Sequence, residues 1–200
     1  RKKSMVNTSE KLKRRDVVKQ IVQKCSKARI ISGLGSPTYD LHNAGDNDRN
    51  FYLWGAMGGA AMTGLGLALA KPDLPVIVIT GDGEQLMGIG SLATIGVQQP
   101  KNLALIVLDN GYFGETGMQK SHTSNGVDLK IIAQGSKFKH SYTITNQSDL
   151  QDLLNILPPS EGPLFVNVKV DNENLKRSLP ILDGVELKNR FRRSLGLEPN

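Results

Sequence analysis

Apolar residues fall in two rhythms along this chain. Short runs such as VIVIT at 76–80 and LALIVL at 103–108 are apolar or β-branched at every position. Runs of that length and composition predict strands covered on both faces. ARIISGLG at 28–35, FYLWG at 51–55, HSYTIT at 140–145 and LFVNVKV at 164–170 predict further strands, the first two stopped by glycine. The other rhythm is helical. Leu12, Val17, Val18, Ile21 and Val22 share one face of an amphipathic helix over 9–28, with Ser9 as its cap. Ser36-Pro37-Thr38 opens a second helix with proline at its start. Residues 57–70 are small and apolar all round, which predicts a helix buried against a sheet. Helices are also predicted after Gly83, over 127–135, and over 147–157. Strands alternating with helices specify an α/β fold: three αβα layers around a mostly parallel central sheet.

Composition adds limits. Two hundred residues, 38% hydrophobic and with 21 glycines, suit one globular domain with many tight turns. No apolar run approaches the ~18 residues of a membrane span, and no apolar signal core follows the basic N-terminus. With a single cysteine, Cys25, the expectation is a soluble cytoplasmic protein without membrane partners. The formal charge of +6 gathers in RKK at 1–3, KLKRR at 11–15 and RFRR at 190–193. No aromatic–basic interleaving or zinc spacing accompanies it, so it reads as a solvated helix face and tail, and no nucleic-acid partner is expected. The predicted organisation is a basic arm and helix over 1–24, an α/β domain over 25–175 and a basic tail over 176–200.

The candidate chemistry sits where VIVIT runs into Gly81-Asp82-Gly83. Ligands of open α/β sheets bind at the carboxyl ends of strands. A helix N-terminus there offers free N–H groups and positive dipole to a phosphate, and glycine lets the phosphate approach. An aspartate at that point repels phosphate unless a cation lies between them, and Mg²⁺, which takes few protein oxygens plus phosphates, suits the role. The next strand ends in Asp109-Asn110-Gly111, so Asn110 offers a second oxygen one strand away. A dinucleotide fingerprint is not present, because GDGEQL lacks its third glycine, and there is no Walker lysine.

GDG, then 25 residues, then Asp109-Asn110 resembles the GDG…NN signature of thiamine diphosphate (ThDP) enzymes. The resemblance covers about residues 25–175, the diphosphate-binding half of that fold. It implies Asp82, Asn110 and the Tyr112 carbonyl as Mg²⁺ ligands, with Asp109 replacing the first asparagine of the pair. It implies that Gly81, Gly83 and Glu84 face the diphosphate, Glu84 through its backbone, with Gly114 nearby. WGAMGGA at 54–60 is similar to the family's Gly-x-(Leu/Ile/Met)-Gly segment. Gly55, Ala56 and Met57 would then hold the aminopyrimidine, with Met57 as the wedge that bends the cofactor.

ThDP enzymes also need a pyrimidine-binding domain carrying an activating glutamate, and the chain has no room for one. The resemblance therefore implies a hetero-oligomer with a separate pyrimidine-binding subunit. NFYLWGAMGGA, GDGEQLMGIGSLATIG and LDNGYFGETGMQKSHT resemble the split 2-oxo acid decarboxylases of the sulfopyruvate and phosphonopyruvate type, whose substrates are small 2-oxo acids. A carboligase of the acetolactate synthase type and a non-catalytic cofactor-binding subunit are the alternatives. On the 111–123 loop, Glu115, Thr116 and Gln119 are the candidate catalytic residues. Lys120 is a candidate for attracting an anionic substrate, and His122 a weaker one for proton transfer. His42 and His140 are assigned no role.

Overall fold

The computed structural model describes residues 11–198. Its elements are α1 (Arg14–Lys24), β1 (Arg29–Ser32), α2 (Ser36–Asn43), β2 (Asn50–Tyr52), α3 (Ala60–Ala70), β3 (Val76–Gly81), α4 (Asp82–Met87), α5 (Ser91–Gln98) and β4 (Leu103–Asp109). A small hairpin follows, β5 (Tyr112–Phe113) and β6 (Gln119–Lys120), then α6 (Leu129–Gly135), β7 (His140–Ile144), α7 (Gln147–Ile156), β8 (Leu164–Lys169) and α8 (Gly184–Ser194). Six strands form one sheet in the order β2-β1-β3-β4-β8-β7, and every pair is parallel. The α/β expectation holds.

Period-two alternation divides the core in two. Ile77, Ile79, Ala104, Ile106 and Leu108 face one layer, which α1 and α7 complete with Val17, Val18, Ile21, Leu150 and Leu153. Val76, Val78, Leu103, Leu105 and Val107 face the other, covered by Ala61, Leu65 and Ala68 of α3, Leu92 and Ile95 of α5 and Leu129 and Ala133 of α6. The chain leaves β1 for β2 at the sheet edge and returns to β3 on the other side of β1. The crevice at the carboxyl ends of β1 and β3 is therefore the topological switch point, the place where such sheets bind ligands.

Several expectations need correction. The first helix starts at Arg14, and Ser9, its expected cap, lies outside the described residues, as does the RKK run. The third starts at Ala60, because residues 54–58 form turns, with Gly58 at φ +85. The helix after Gly83 is two helices, interrupted at Gly88–Gly90, where the carbonyl of Gly58 crowds Gly88. Helix α1, assigned above to the N-terminal arm, contributes fully buried side chains to the sheet core.

The basic tail proves to contain α8. Asp183 caps it by accepting from the N–H groups of Val185 and Glu186. Leu187 and Phe191, four residues apart, are buried, and the Phe191 ring lies 5.2 Å from that of Phe51. The basic runs are partly structural as well. Arg14 and Arg15 both pair with Asp40, and Arg190 with Asp46.

Gly96 shows how tightly α5 seats. A Cβ there would stand 1.5 Å from the backbone oxygen of Ser136, and backbone cannot swing aside. Gly96→Ala is expected to destabilise the fold by about 3 kcal/mol. A lower urea midpoint at unchanged slope would show it.

Candidate functional site

The strand register builds the site. Gly81 pairs with Leu108, so Asp82 and the Asp109-Asn110 pair emerge side by side from β3 and β4. One cleft at the switch point is bordered by Met57, Gly81, Asp82, Gly83, Glu84, Asn110, Tyr112, Gly114, Glu115 and Thr116, and by Arg14, Leu34 and Ser36. Most of the expected site residues thus meet. Gly55 and Ala56 are exposed in the turn just before Met57 and do not border the cleft.

Asp82 is 1% exposed. Its Oδ2 accepts from the hydroxyls of Ser121 and, at 3.2 Å, Thr123. Burial, with the Asp109 charge adding to it, pushes its carboxyl up to about 6, while the two hydroxyls pull it down. The Asn110 Oδ1 accepts from the Tyr112 N–H at 2.9 Å, which shapes the turn leaving β4. Among the described residues no three His, Cys, Asp or Glu side chains converge as a metal cluster. A cation here would rest on the Asp82 carboxylate and neutral oxygens. That is a donor set suited to a hard ion which also binds phosphate.

Asp109, in the place of the first asparagine, is held on all sides. Its Oδ1 accepts from the Gly111 N–H and, at 2.8 Å, from Thr123. Its Oδ2 accepts from Asn167 at 2.9 Å and pairs with Lys169, its register partner on β8. Thr123 therefore links the two aspartates.

Glu84 borders the cleft, but its carboxylate is tied to the protein. Oε2 accepts from Thr80 at 2.7 Å, and a Cβ on Gly33 would overlap it at 1.5 Å. Oε1 is buried without a hydrogen-bond partner. Burial raises this carboxyl, opposed by the Thr80 hydroxyl and by nearby amides of Ala60, Gly58 and Leu34, which favour the charge without reaching hydrogen-bond geometry. A side-chain contact to a phosphate is thereby disfavoured, and the α4 backbone remains open. Gly83 is required there, because a Cβ would lie 2.5 Å from the Phe113 ring.

The loop candidates separate. Glu115 packs on Gly35 and pairs with Arg177 at 3.5 Å. Thr116 donates to the Gln119 Oε1 at 2.9 Å, and Gln119 donates back to the Thr116 carbonyl at 2.8 Å, so Gln119 and the exposed Lys120 belong to the hairpin and not to the cleft wall. His122 sets its ring edge against Phe113, 6.2 Å away. His42 bonds Ser178, and His140 stacks on Tyr142.

The chain matches the family described as "Thiamine pyrophosphate enzyme, C-terminal TPP binding domain" over residues 36–168. It belongs to that family. The matched span holds β3, β4 and every expected cofactor contact. Among curated relatives, the sulfopyruvate decarboxylase subunit beta of Methanocaldococcus jannaschii is 47% identical over 137 residues, 68% of this chain and 71% of that one. The corresponding subunit of Methanococcus maripaludis is 32% identical and aligns over 90% of this chain and 96% of its own. The phosphonopyruvate decarboxylase of Streptomyces viridochromogenes is 39% identical over 82% of this chain, but this chain spans only 41% of it. A solved structure, described as a thiamin diphosphate-dependent enzyme from Mycobacterium smegmatis, superposes with a TM-score of 0.70 over 84% of this chain and 34% of that one. At 20% identity, that likeness is one of fold.

Three participants of this thiamine pyrophosphate-binding domain escape sequence reasoning. Ser121 and Thr123 hold Asp82 from 39 and 41 residues away. Arg14 reaches the cleft from α1. The only signal in the sequence was the density of hydroxyl residues in SHTS at 121–124.

Proposed function

We propose that this chain is the diphosphate-binding subunit of a ThDP-dependent 2-oxo acid decarboxylase of the sulfopyruvate or phosphonopyruvate type. The observation that carries the reading is the convergence of Asp82 and Asn110 on one cleft at the switch point, in a chain related to two such beta subunits. Asp82, Asn110 and the Tyr112 carbonyl would hold Mg²⁺. The desolvated Asp82, with Asp109 beside it, is a site of unmatched negative charge that a cation relieves. The α4 N–H groups at Gly83 and Glu84 would receive the diphosphate, and Met57, which borders the same cleft, would set the bend of the cofactor. ThDP, when bound, supplies the nucleophilic carbon and the electron sink for loss of CO₂. The domain's own residues orient the cofactor, and Glu115 and Thr116, which border the same cleft, are the candidates for contact with the substrate.

The activating glutamate would come from a pyrimidine-binding subunit. Met62 in the first turn of α3 and Met87 at the end of α4 are exposed apolar side chains, which fits a covering partner. Among the described residues no helix is long and apolar enough to cross a membrane. The lone thiol, Cys25, is buried, and burial pushes it up to about 11, which leaves it unreactive.

The test is reconstitution. The chain alone is expected to show no turnover. With a pyrimidine-binding subunit, ThDP and Mg²⁺, it should release CO₂ and the aldehyde from sulfopyruvate or phosphonopyruvate. A new carbon–carbon bond in the product would point to a carboligase instead, and no turnover of any 2-oxo acid would refute the proposal.

A further inference from the structure

A second cavity, of about 370 Å³, opens from the cofactor cleft past Ser36 and Gly114. Arg14 borders both spaces, and its side chain is 6% exposed. Its Nε pairs with Asp40, whose side chain is fully buried. Arg15 pairs with the other oxygen of that carboxylate at 3.1 Å. Two guanidinium groups therefore share one carboxylate. Across the cavity, Arg177 pairs with Glu115 and lies 5.6 Å over the Tyr39 ring. That pair is balanced. Between them, the backbone carbonyls of Glu173 and Lys176 accept from Arg14 and Arg15. The Arg14–Arg15–Asp40 group thus sets two guanidinium groups on one carboxylate, Arg14 withdrawn from water and Arg15 partly so, at the edge of a ligand cleft. A guanidinium that shares its carboxylate with another, so placed, has donors left for an anion. A guanidinium fork is suited to phosphate, phosphonate and sulfonate oxygens.

We propose that Arg14, with Arg15 and Arg177, forms an oxyanion subsite separate from the Asp82–Asn110 cation site. It takes a terminal oxyanion of a ligand seated in the cleft. Two sources share that chemistry: the distal phosphate of the cofactor, and the sulfonate or phosphonate of the dianionic substrate. The second source rests on the function proposed above; the first does not.

Arg15→Gln removes one of the two guanidinium groups and leaves Asp40 paired with Arg14. Arg177→Gln changes a side chain that is 65% exposed. The single tryptophan, Trp54, stands three residues before Met57 and serves as a fluorescence probe. In one arm ThDP is titrated, with Mg²⁺, into the wild-type chain and each variant. In the other, KM for sulfopyruvate and for phosphonopyruvate is measured on the complex with the pyrimidine-binding subunit at saturating ThDP. The expected result is a loss of roughly tenfold, the scale of one charge-assisted contact. A loss in ThDP affinity identifies the cofactor phosphate, and a loss in KM alone identifies the substrate anion. Partial recovery by Arg177→Lys separates charge from packing. Both arms within about twofold of wild type, in variants with native circular dichroism, would overturn the subsite. If the wild-type complex turns over no 2-oxo acid, the decarboxylase reading fails and the ThDP titration alone decides the subsite.

Discussion

Asp82→Asn is expected to make the cofactor-free chain more stable near neutral pH and to abolish its stabilisation by ThDP and Mg²⁺. The Asp82 carboxyl moves from 3.8 to about 6 on folding, chiefly through burial. Between those values the native state holds a proton that the unfolded chain has released. Native stability therefore falls as pH rises from about 4 to 6, by about 3 kcal/mol in all, and stays low above that window. Asparagine carries no such cost and can still accept from Ser121 and Thr123. Its melting temperature near neutral pH should exceed wild type by roughly 5–10 °C, and the difference should vanish below about pH 4. A divalent cation would reverse the wild-type penalty by favouring the carboxylate, so the thermal shift given by Mg²⁺ and ThDP should grow with pH across the same window. Melting curves across pH, with and without the ligands, test both parts. An asparagine variant that is less stable near neutral pH, or one that keeps the ligand shift, would contradict this account of the site.

The second large effect concerns Asp109. Asp109→Ala would unpair the Lys169 ammonium, leave Asn167 and the Gly111 N–H without their acceptor, and leave Thr123 with Asp82 alone. Lys169 is 42% exposed and can return to water, so the cost falls on the buried donors that lose their acceptor, roughly 1–3 kcal/mol, and the expected readout is a matching fall in urea stability. Asp109→Asn keeps acceptors for most of these donors and costs less. It also removes the like charge beside Asp82, so the Asp82 carboxyl should move down and the Mg²⁺-dependent shift should persist to lower pH. Urea melts of both variants, with Mg²⁺ and ThDP titrations across pH, separate the two roles. A neutral Asp109→Ala would mean that the network around Lys169 does not support the turn.

These two residues also mark how far the sequence is legible. Asp82 and Asn110 are readable because each follows an apolar strand directly and glycine flanks the turn. Both signals are local, and parallel neighbours bring strand ends together. The role of Asp109 is not readable, because its partners on β8 lie 58 and 60 residues away. Glu84 shows the same limit. Its position after GDG places its backbone at the cleft, but only the fold reveals that its carboxylate fills the space left by Gly33. Gln119 looks equivalent to Glu115 in a glycine-rich loop, and hairpin formation between β5 and β6 turns it back onto Thr116.

By itself the sequence determined the strands, their parallel packing between helices, and the glycine-flanked aspartate at a strand tip. Each depends on residues within a few positions of one another, where period and backbone freedom act. Tertiary structure decided what the scattered charges do. It buried Arg14 against Asp40 at the cleft wall, set Arg177 on Glu115, made a capped helix of the basic C-terminal run and gave Asp82 its two hydroxyl donors. Ion pairs and desolvation depend on distance in space, and segments far apart in the chain come within that distance only after the sheet has formed.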